Sequence, residues 1–335
     1  MSDPKAVRGF ATRNDQLTWA LYGGLLVLAL LLPALGAYPV FVMKVLCYAL
    51  FACAFNLLLG FTGLLSFGHA AFLGAAAYAC GHALKVWGWG LPAGLVFGMA
   101  VTAALGFVFG WLAIRRAGIY FAMITLALAQ MVYFFFLQMP FTGGEDGLQS
   151  VPRGTLLGLD LGRDLTLYYV VVAVFTAAFL LIHRIVHSPF GQVLQAIREN
   201  EPRAVSLGYP VERFKLLAFV LSALLAGLAG AMKTHVLGFA TLTDALWTTS
   251  GLVILMTLVG GIGTLIGPIV GALIILVLET KVGDFGRWLA EVTQVEWFNG
   301  LGESVTIVTG LIFVLCVLLF RRGVVGEIGA RVVRR

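Results

Sequence analysis

The string GQVLQAIRENEPRAVSLGYP, residues 191–210, is a polar, charged, helix-forming interruption in a strongly apolar chain. Where it sits decides how the rest is folded. Around it, 60% of the 335 residues are hydrophobic and only 11% are charged. Mean hydropathy is +0.98. A soluble domain carries about 25% charged residues, so a single core under a wet surface is excluded. Between Thr18 and Gly144 the formally charged residues are Lys44, Lys85, Arg115 and Arg116, with no Asp or Glu.

A membrane-crossing helix needs about 20 mainly apolar residues. Such runs predict helices over 18–36, 38–59, 65–84, 90–112, 118–138, 167–186, 214–232 and 303–320. The run 248–278 contains GGIGTLIGP (260–268), whose paired Gly and Pro oppose one unbroken helix. It reads as two pieces, 248–260 and 264–279, in a hairpin or re-entrant pair, allowed where protein or a cavity covers the break. The expected fold is an all-α polytopic membrane protein of about ten helical segments with broken or re-entrant helices. Eight or ten of them cross fully. Gly63–Gly68 and Gly261–Gly267 each precede a small apolar helix, a faint echo of the kind inverted repeats leave.

With the N-terminus inside, 15 of the 22 Lys and Arg fall on inner segments, as the positive-inside rule requires. This holds only if 248–279 returns to the side it left. The expected organisation is a cytoplasmic tail over 1–17, a membrane domain over 18–320, and a cytoplasmic tail over 321–335. The polar first seventeen residues do not read as a signal peptide. The net charge of +6 does not indicate nucleic acid, because the basic residues cluster at the ends of apolar runs. Cys47, Cys53, Cys80 and Cys316 all lie in apolar segments, with no zinc or disulfide spacing. No metal site is expected.

The stretch 187–213 then lies on the cytoplasmic side. Ser188-Pro189 is a helix start. Gln195, Arg198 and Glu199 share one side of that helix, with Leu194 and Ile197 on another. Gly208 ends a second short helix, and Pro210 stops it continuing. The pair forms a compact knob for a soluble partner, or a plain interfacial connector. Arg198 and Glu201 are expected to offer charge-assisted contacts, and Leu194, Ala204 and Leu207 packing surface.

Glu201, Ala204 and Gly208 keep the Glu, second Ala and Gly of the coupling motif of ATP-binding-cassette importer permeases, with Pro202 and Arg203 as irregularities. The wider string 191–232 resembles the branched-chain amino acid permease family, in particular its LivM-like subunit. GFTGLLSFGHAAFLGAAAY (60–78), TGGEDGL (142–148) and GGIGTLIGPIVGA (260–272) resemble it too, in the same order along the chain. The resemblance implies a five-part importer in the bacterial cytoplasmic membrane, with both termini of this chain cytoplasmic. Its partners would be a LivH-like permease, two cytoplasmic ATPases, and a periplasmic or extracellular solute-binding protein. ATP and Mg2+ would belong to the ATPases, since this chain has no GxxxxGK[ST] loop and is no enzyme. Residues coupling to the ATPases would be Gln195, Arg198, Glu199, Glu201, Ala204, Leu207 and Gly208. The solute would be leucine, isoleucine or valine, with urea, short amides or aromatic acids as alternatives.

Thr62, Ser66, Phe67 and His69, with Gly260, Gly261 and Thr264 of the break, are candidates for the wall of the route; helix packing is the competing reading. Thr142, Gly143 and Gly144 form a turn and Glu145 and Asp146 an exposed acidic pair, either a contact for the binding protein or a solvated loop. Ala223, Gly227 and Ala231 make a small-residue stripe for close helix packing. Phe285, Trp288, Leu289 and Val292 are expected on a separate outer surface helix, with Trp297 and Phe298 as anchors. A secondary transporter or a channel is the rival class. The former usually needs a buried acid, and the apolar segments before 167 contain none.

Overall fold

A computed structural model describes residues 22–156 and 158–293, with 310–311, 314 and 323–327. Its helices are α1 (Tyr22–Leu31), α2 (Pro39–Thr62), α3 (His69–Lys85), α4 (Leu91–Ala113), α5 (Ile119–Gln138), α6 (Asp164–Val186), α7 (Pro189–Glu199), α8 (Glu201–Ser206), α9 (Val211–Leu237), α10 (Trp247–Gly260) and α11 (Gly267–Thr293). Among the described residues α2, α4, α5, α6 and α9 are long and apolar enough to cross a membrane. The shorter α1, α3 and α10, and the start of α11, occupy four more of the expected segments. The run 303–320 lies almost wholly outside the described residues. Among the described residues the strands form one two-strand hairpin, Thr155–Leu156 with Leu159–Asp160, in the α5–α6 connection.

Helix α9 is the central post, flanked by α2, α3 and α4. Its small-residue stripe meets a matching one on α4. A Cβ on Gly98 would stand 3.3 Å from the Ala231 Cβ, one on Gly227 2.1 Å from Thr102 Oγ1, and one on Gly106 2.5 Å from the Ala223 Cβ. The two helices therefore approach to backbone distance along three turns, as small residues allow. In water an apolar seam is driven by solvent release; between lipids, this close fit must supply the attraction. The stripe on α9 thus does the packing expected of it.

Two non-helical segments enter the bundle. Residues 63–68 follow α2 as an irregular stretch, so α3 begins at His69 and not at 65. Gly63 caps α2 at φ +76°, a conformation open to glycine, and Ser66 and Gly68 are buried. Residues 239–246 enter from the opposite end, with Ala240, Asp244 and Ala245 buried. The segments lead into α3 and α10; on α3 a Cβ on Gly74 would lie 2.6 Å from that of Ala245 in the second segment, and the Ala70 N–H donates to Ser250 Oγ of α10 at 2.9 Å.

The expected hairpin over 248–279 is present as α10 and α11. A Cβ on Gly271 would lie 1.8 Å from the Met256 carbonyl oxygen, so the arms pack backbone to backbone. The separate surface helix expected from 280 does not form. The backbone of α11 runs without interruption to Thr293, because no Pro or capping signal stops it at Thr280. Trp297 and Phe298 lie outside the described residues.

Candidate coupling surface and transport route

The polar stretch folds as the two helices expected. Ser188 caps α7, its Oγ accepting from the Gly191 N–H at 3.3 Å, with Pro189 in the first turn. Asn200 caps α8 through Oδ1 and the Arg203 N–H at 3.0 Å. Gly208 takes φ +86°, and nothing lies within 4 Å of the Cβ it lacks, so backbone conformation alone favours glycine there. Ile197, Ala204 and Val211 form a small core of their own, with Phe214 packed beside it.

Burial corrects two residues of the packing surface expected from the sequence, while the exposed Glu201 and Arg198 also hold partners within the chain. Leu194 and Ala204 face inward and are closed to a partner. Glu201 is tied to Lys215 of α9 at 2.6 Å. Arg198 donates to the Gly60 carbonyl of α2. The outward apolar groups are Leu207, 68% exposed, Val205, 56%, and Tyr209, 43%, with Gln195, Arg198, Glu199, Glu201 and Arg203 exposed beside them.

The α10–α11 break lies against the same end of the bundle. Gly261 has φ +125° and Gly263 φ +77°. Thr264 Oγ1 donates to the Gly261 carbonyl at 2.8 Å and accepts from the Gly267 N–H at 3.1 Å, stapling the turn. Asn56 of α2 clamps it from outside. Its Nδ2 donates to the Thr264 carbonyl at 2.8 Å, and its Oδ1 accepts from the Gly263 N–H at 3.0 Å. Gly260 is buried at the crossing, where a Cβ would meet the Gly267 carbonyl oxygen at 1.9 Å. Gly323 packs on Gly261, so part of 321–335 joins the bundle. Gln195, His187, Thr264 and Val325 border a cavity of about 350 Å3 at this end.

Residues 40–320 match the family described as branched-chain amino acid transport system / permease component. The chain belongs to this permease family. The high-affinity branched-chain amino acid transport system permease protein LivM of Salmonella typhimurium is 28% identical over 79% of this permease and 68% of its own length. LivM of Escherichia coli is 28% identical over 72% of this permease and 62% of its own length. The ribose import permease protein RbsC of Bacillus subtilis is 30% identical over 58% of each chain. The permease thus spans about two thirds of the length of these LivM relatives. No solved structure matches it.

The 60–72 string of the permease holds its polar groups inside. Thr62 donates back to the Leu58 carbonyl, and the Ser66 hydroxyl accepts from the Gly68 N–H at 3.2 Å. His69 is fully buried among Phe55, Phe72 and Phe219, with Nε2 2.8 Å from Ser222 Oγ, which donates to the Ala54 carbonyl. These groups brace the 63–68 segment by hydrogen bonds within the chain. Phe67 is half-buried, its N–H donated to Thr125 Oγ1 at 3.2 Å.

At the other end Thr142 is buried, its hydroxyl on the Phe136 and Met139 carbonyls, so it is a strut and not a contact. Gly143 and Gly144 both take positive φ, and Glu145 and Asp146 point to the surface. A Cβ on Gly147 would collide with the Ala240 carbonyl oxygen at 2.3 Å, where Leu148 and Ala240 pair as a bridge. Sequence reasoning missed the buried Lys233–Asp244 ion pair beside Tyr48, whose ring lies 5.9 Å from Lys233 Nζ. It also missed Asn56. A lone amide in a run as apolar as 38–59 was the available signal, since polar groups there must find partners. An apolar crevice of about 820 Å3 between α3, α4 and α5 contains none of the expected route residues. Among the described residues, no three His, Cys, Asp or Glu side chains gather to hold a metal.

Proposed function

We propose that this permease forms half of the membrane pathway of an ATP-driven importer for leucine, isoleucine or valine. The observation that carries the reading is the α7–α8 knob, with Leu207, Val205 and Tyr209 turned outward, in a chain of this permease family. Two ATPases dock beneath the knobs of a pair of permeases, this chain and a LivH-like one, and a separate binding protein delivers the solute from the other face. ATP and Mg2+ act in the ATPases. Glu145 and Asp146 meet the binding protein, and the 260–267 break borders the route.

The chain sits in a bacterial cytoplasmic membrane as about ten segments, with the knob and both termini inside. An inverted repeat is supported by the two non-helical segments. The unit α2, 63–68, α3 and the unit α9, 239–246, α10 run in opposite senses and touch at Gly74 and Ala245. The similarity to RbsC makes ribose the alternative cargo to test.

The test is reconstitution of the permease with its partner permease, ATPases and binding protein in liposomes. Branched-chain amino acids should accumulate only with ATP and loaded binding protein. Leu207→Asp should lower ATPase co-purification by at least about tenfold, a loss of about 1.4 kcal/mol of docking energy, while the permease still inserts. Retention of the ATPases by that variant would sink the knob as the dock. Accumulation of ribose but not leucine would overturn the cargo.

A further inference from the structure

We infer that Arg198, though exposed at the knob, acts as a transmission strut that joins the coupling helix to the transport break, and that this bond, not docking of the ATPase, is its main role. This rests on the importer reading above and names the residue through which the coupling surface acts. Arg198 occupies the last turn of α7, yet its Nη1 donates to Gly60 in the last turn of α2. The last four carbonyls of a helix have no partner within it, and a cation there also meets the negative end of the helix dipole. Arg198 thus closes the end of a helix remote in sequence.

The same guanidinium abuts the break. A Cβ on Gly263 would stand 3.0 Å from Arg198 Nη1 and 3.3 Å from the Gly60 carbonyl oxygen, and one on Gly63 would stand 3.3 Å from Arg198 Cγ. Three segments therefore meet on one side chain: the end of α7, the end of α2 and the α10–α11 turn. Asn56, one turn back on α2, holds that turn by two hydrogen bonds. A displacement of α7 must move the carbonyl that Arg198 grips or break the bond. Through Asn56 it then moves Gly263 and Thr264. The positive φ of Gly261 and Gly263 gives the turn a backbone that can take up such a shift.

The docking side chains lie elsewhere on the knob. Leu207 and Tyr209 follow α8, and Val205 lies within it, whereas Arg198, exposed along part of its length, carries its Nη1 to the Gly60 carbonyl. Its guanidinium fork suits a carbonyl at a fixed angle, which a lysine meets with a point charge.

The experiment compares Arg198→Gln and Arg198→Lys with the unaltered complex in liposomes. Co-purification of the ATPases, ATP hydrolysis and solute uptake are each measured. R198Q should keep the ATPases bound and hydrolysing, yet raise the ATP consumed per solute imported by at least about tenfold, within the usual range of coupling factors. R198K should recover part of the coupling. Loss of the ATPases from R198Q would make Arg198 a docking contact and overturn the strut. An unchanged ratio would overturn it as well. If the R198Q permease fails to insert or to pair with its partner permease, hydrogen exchange of 260–267 in the unaltered complex decides. It should differ between the nucleotide-free and ATP-trapped states, and identical exchange would overturn the proposal. Failure of the importer reading is distinguishable, because the unaltered permease would then show no ATP-dependent uptake.

Discussion

Lys233 and Asp244 carry opposite charges into the apolar end of the bundle, with side chains only 6% and 3% exposed. Removing both from water is costly, and their attraction offsets that cost only while both are present. Asp244 also accepts from the Thr241 N–H through its second oxygen, at 3.3 Å, which holds the turn leading into α10. Lys233→Met should therefore destabilise the detergent-solubilised permease by about 3–5 kcal/mol, by leaving Asp244 charged and alone. Adding Asp244→Leu removes the stranded charge and should restore most of the loss, short of about 1 kcal/mol for the Thr241 bond. Thermal unfolding of the single and double variants checks the order. A single variant as stable as the double would mean that Asp244 finds another partner.

Among the elements, the α4–α9 seam depends on the absence of side chains. Gly98, Thr102 and Gly106 fall every four residues on α4, opposite Ala231, Gly227 and Ala223 on α9. Gly227→Ile would drive a branched side chain into Thr102 and should cost about 1–3 kcal/mol, with lost assembly in the membrane if the helices part. Gly251, which has nothing within 4 Å of its missing Cβ, is the control site on α10. Gly251→Ala should leave the unfolding temperature within about 1 °C or raise it, since alanine favours a helix over glycine. Equal losses at the two positions would show that helix propensity, and not the seam, sets the stability.

For the whole molecule, sidedness follows from one chain of directions. The α7–α8 knob, the α10–α11 break and residues 323–327 share one end, while the 140–163 connection and Thr241–Asp244 share the other. Single cysteines at Asp146 and Gln192 test which end faces out. Cys47, Cys53 and Cys80 are buried and give little background, and Cys316, outside the described residues, is replaced by Ser in both variants. In intact cells an impermeant maleimide should label Asp146→Cys and spare Gln192→Cys; equal labelling of both would overturn the cytoplasmic knob. Apolar run length, the Gly-Gly and Pro of 260–268 and the Ser-Pro before 190 were enough to place most of the described helices, the hairpin and the two pieces of the knob, because each is a local signal read within a few turns. The route residues were less legible. Thr62, Ser66 and His69 are legible as polar groups in an apolar setting, but the sequence does not show what each one bonds. Their partners are a carbonyl one turn back, a neighbouring N–H and Ser222, 153 residues away. Asn56 and Thr264 stand 208 residues apart, and Arg198 and Gly60 stand 138 apart. The sequence by itself determined a broken, many-helix membrane permease with a polar knob. Only the tertiary structure decided which knob residues face out and which grip the break, because burial and hydrogen-bond partners arise when distant turns are packed together.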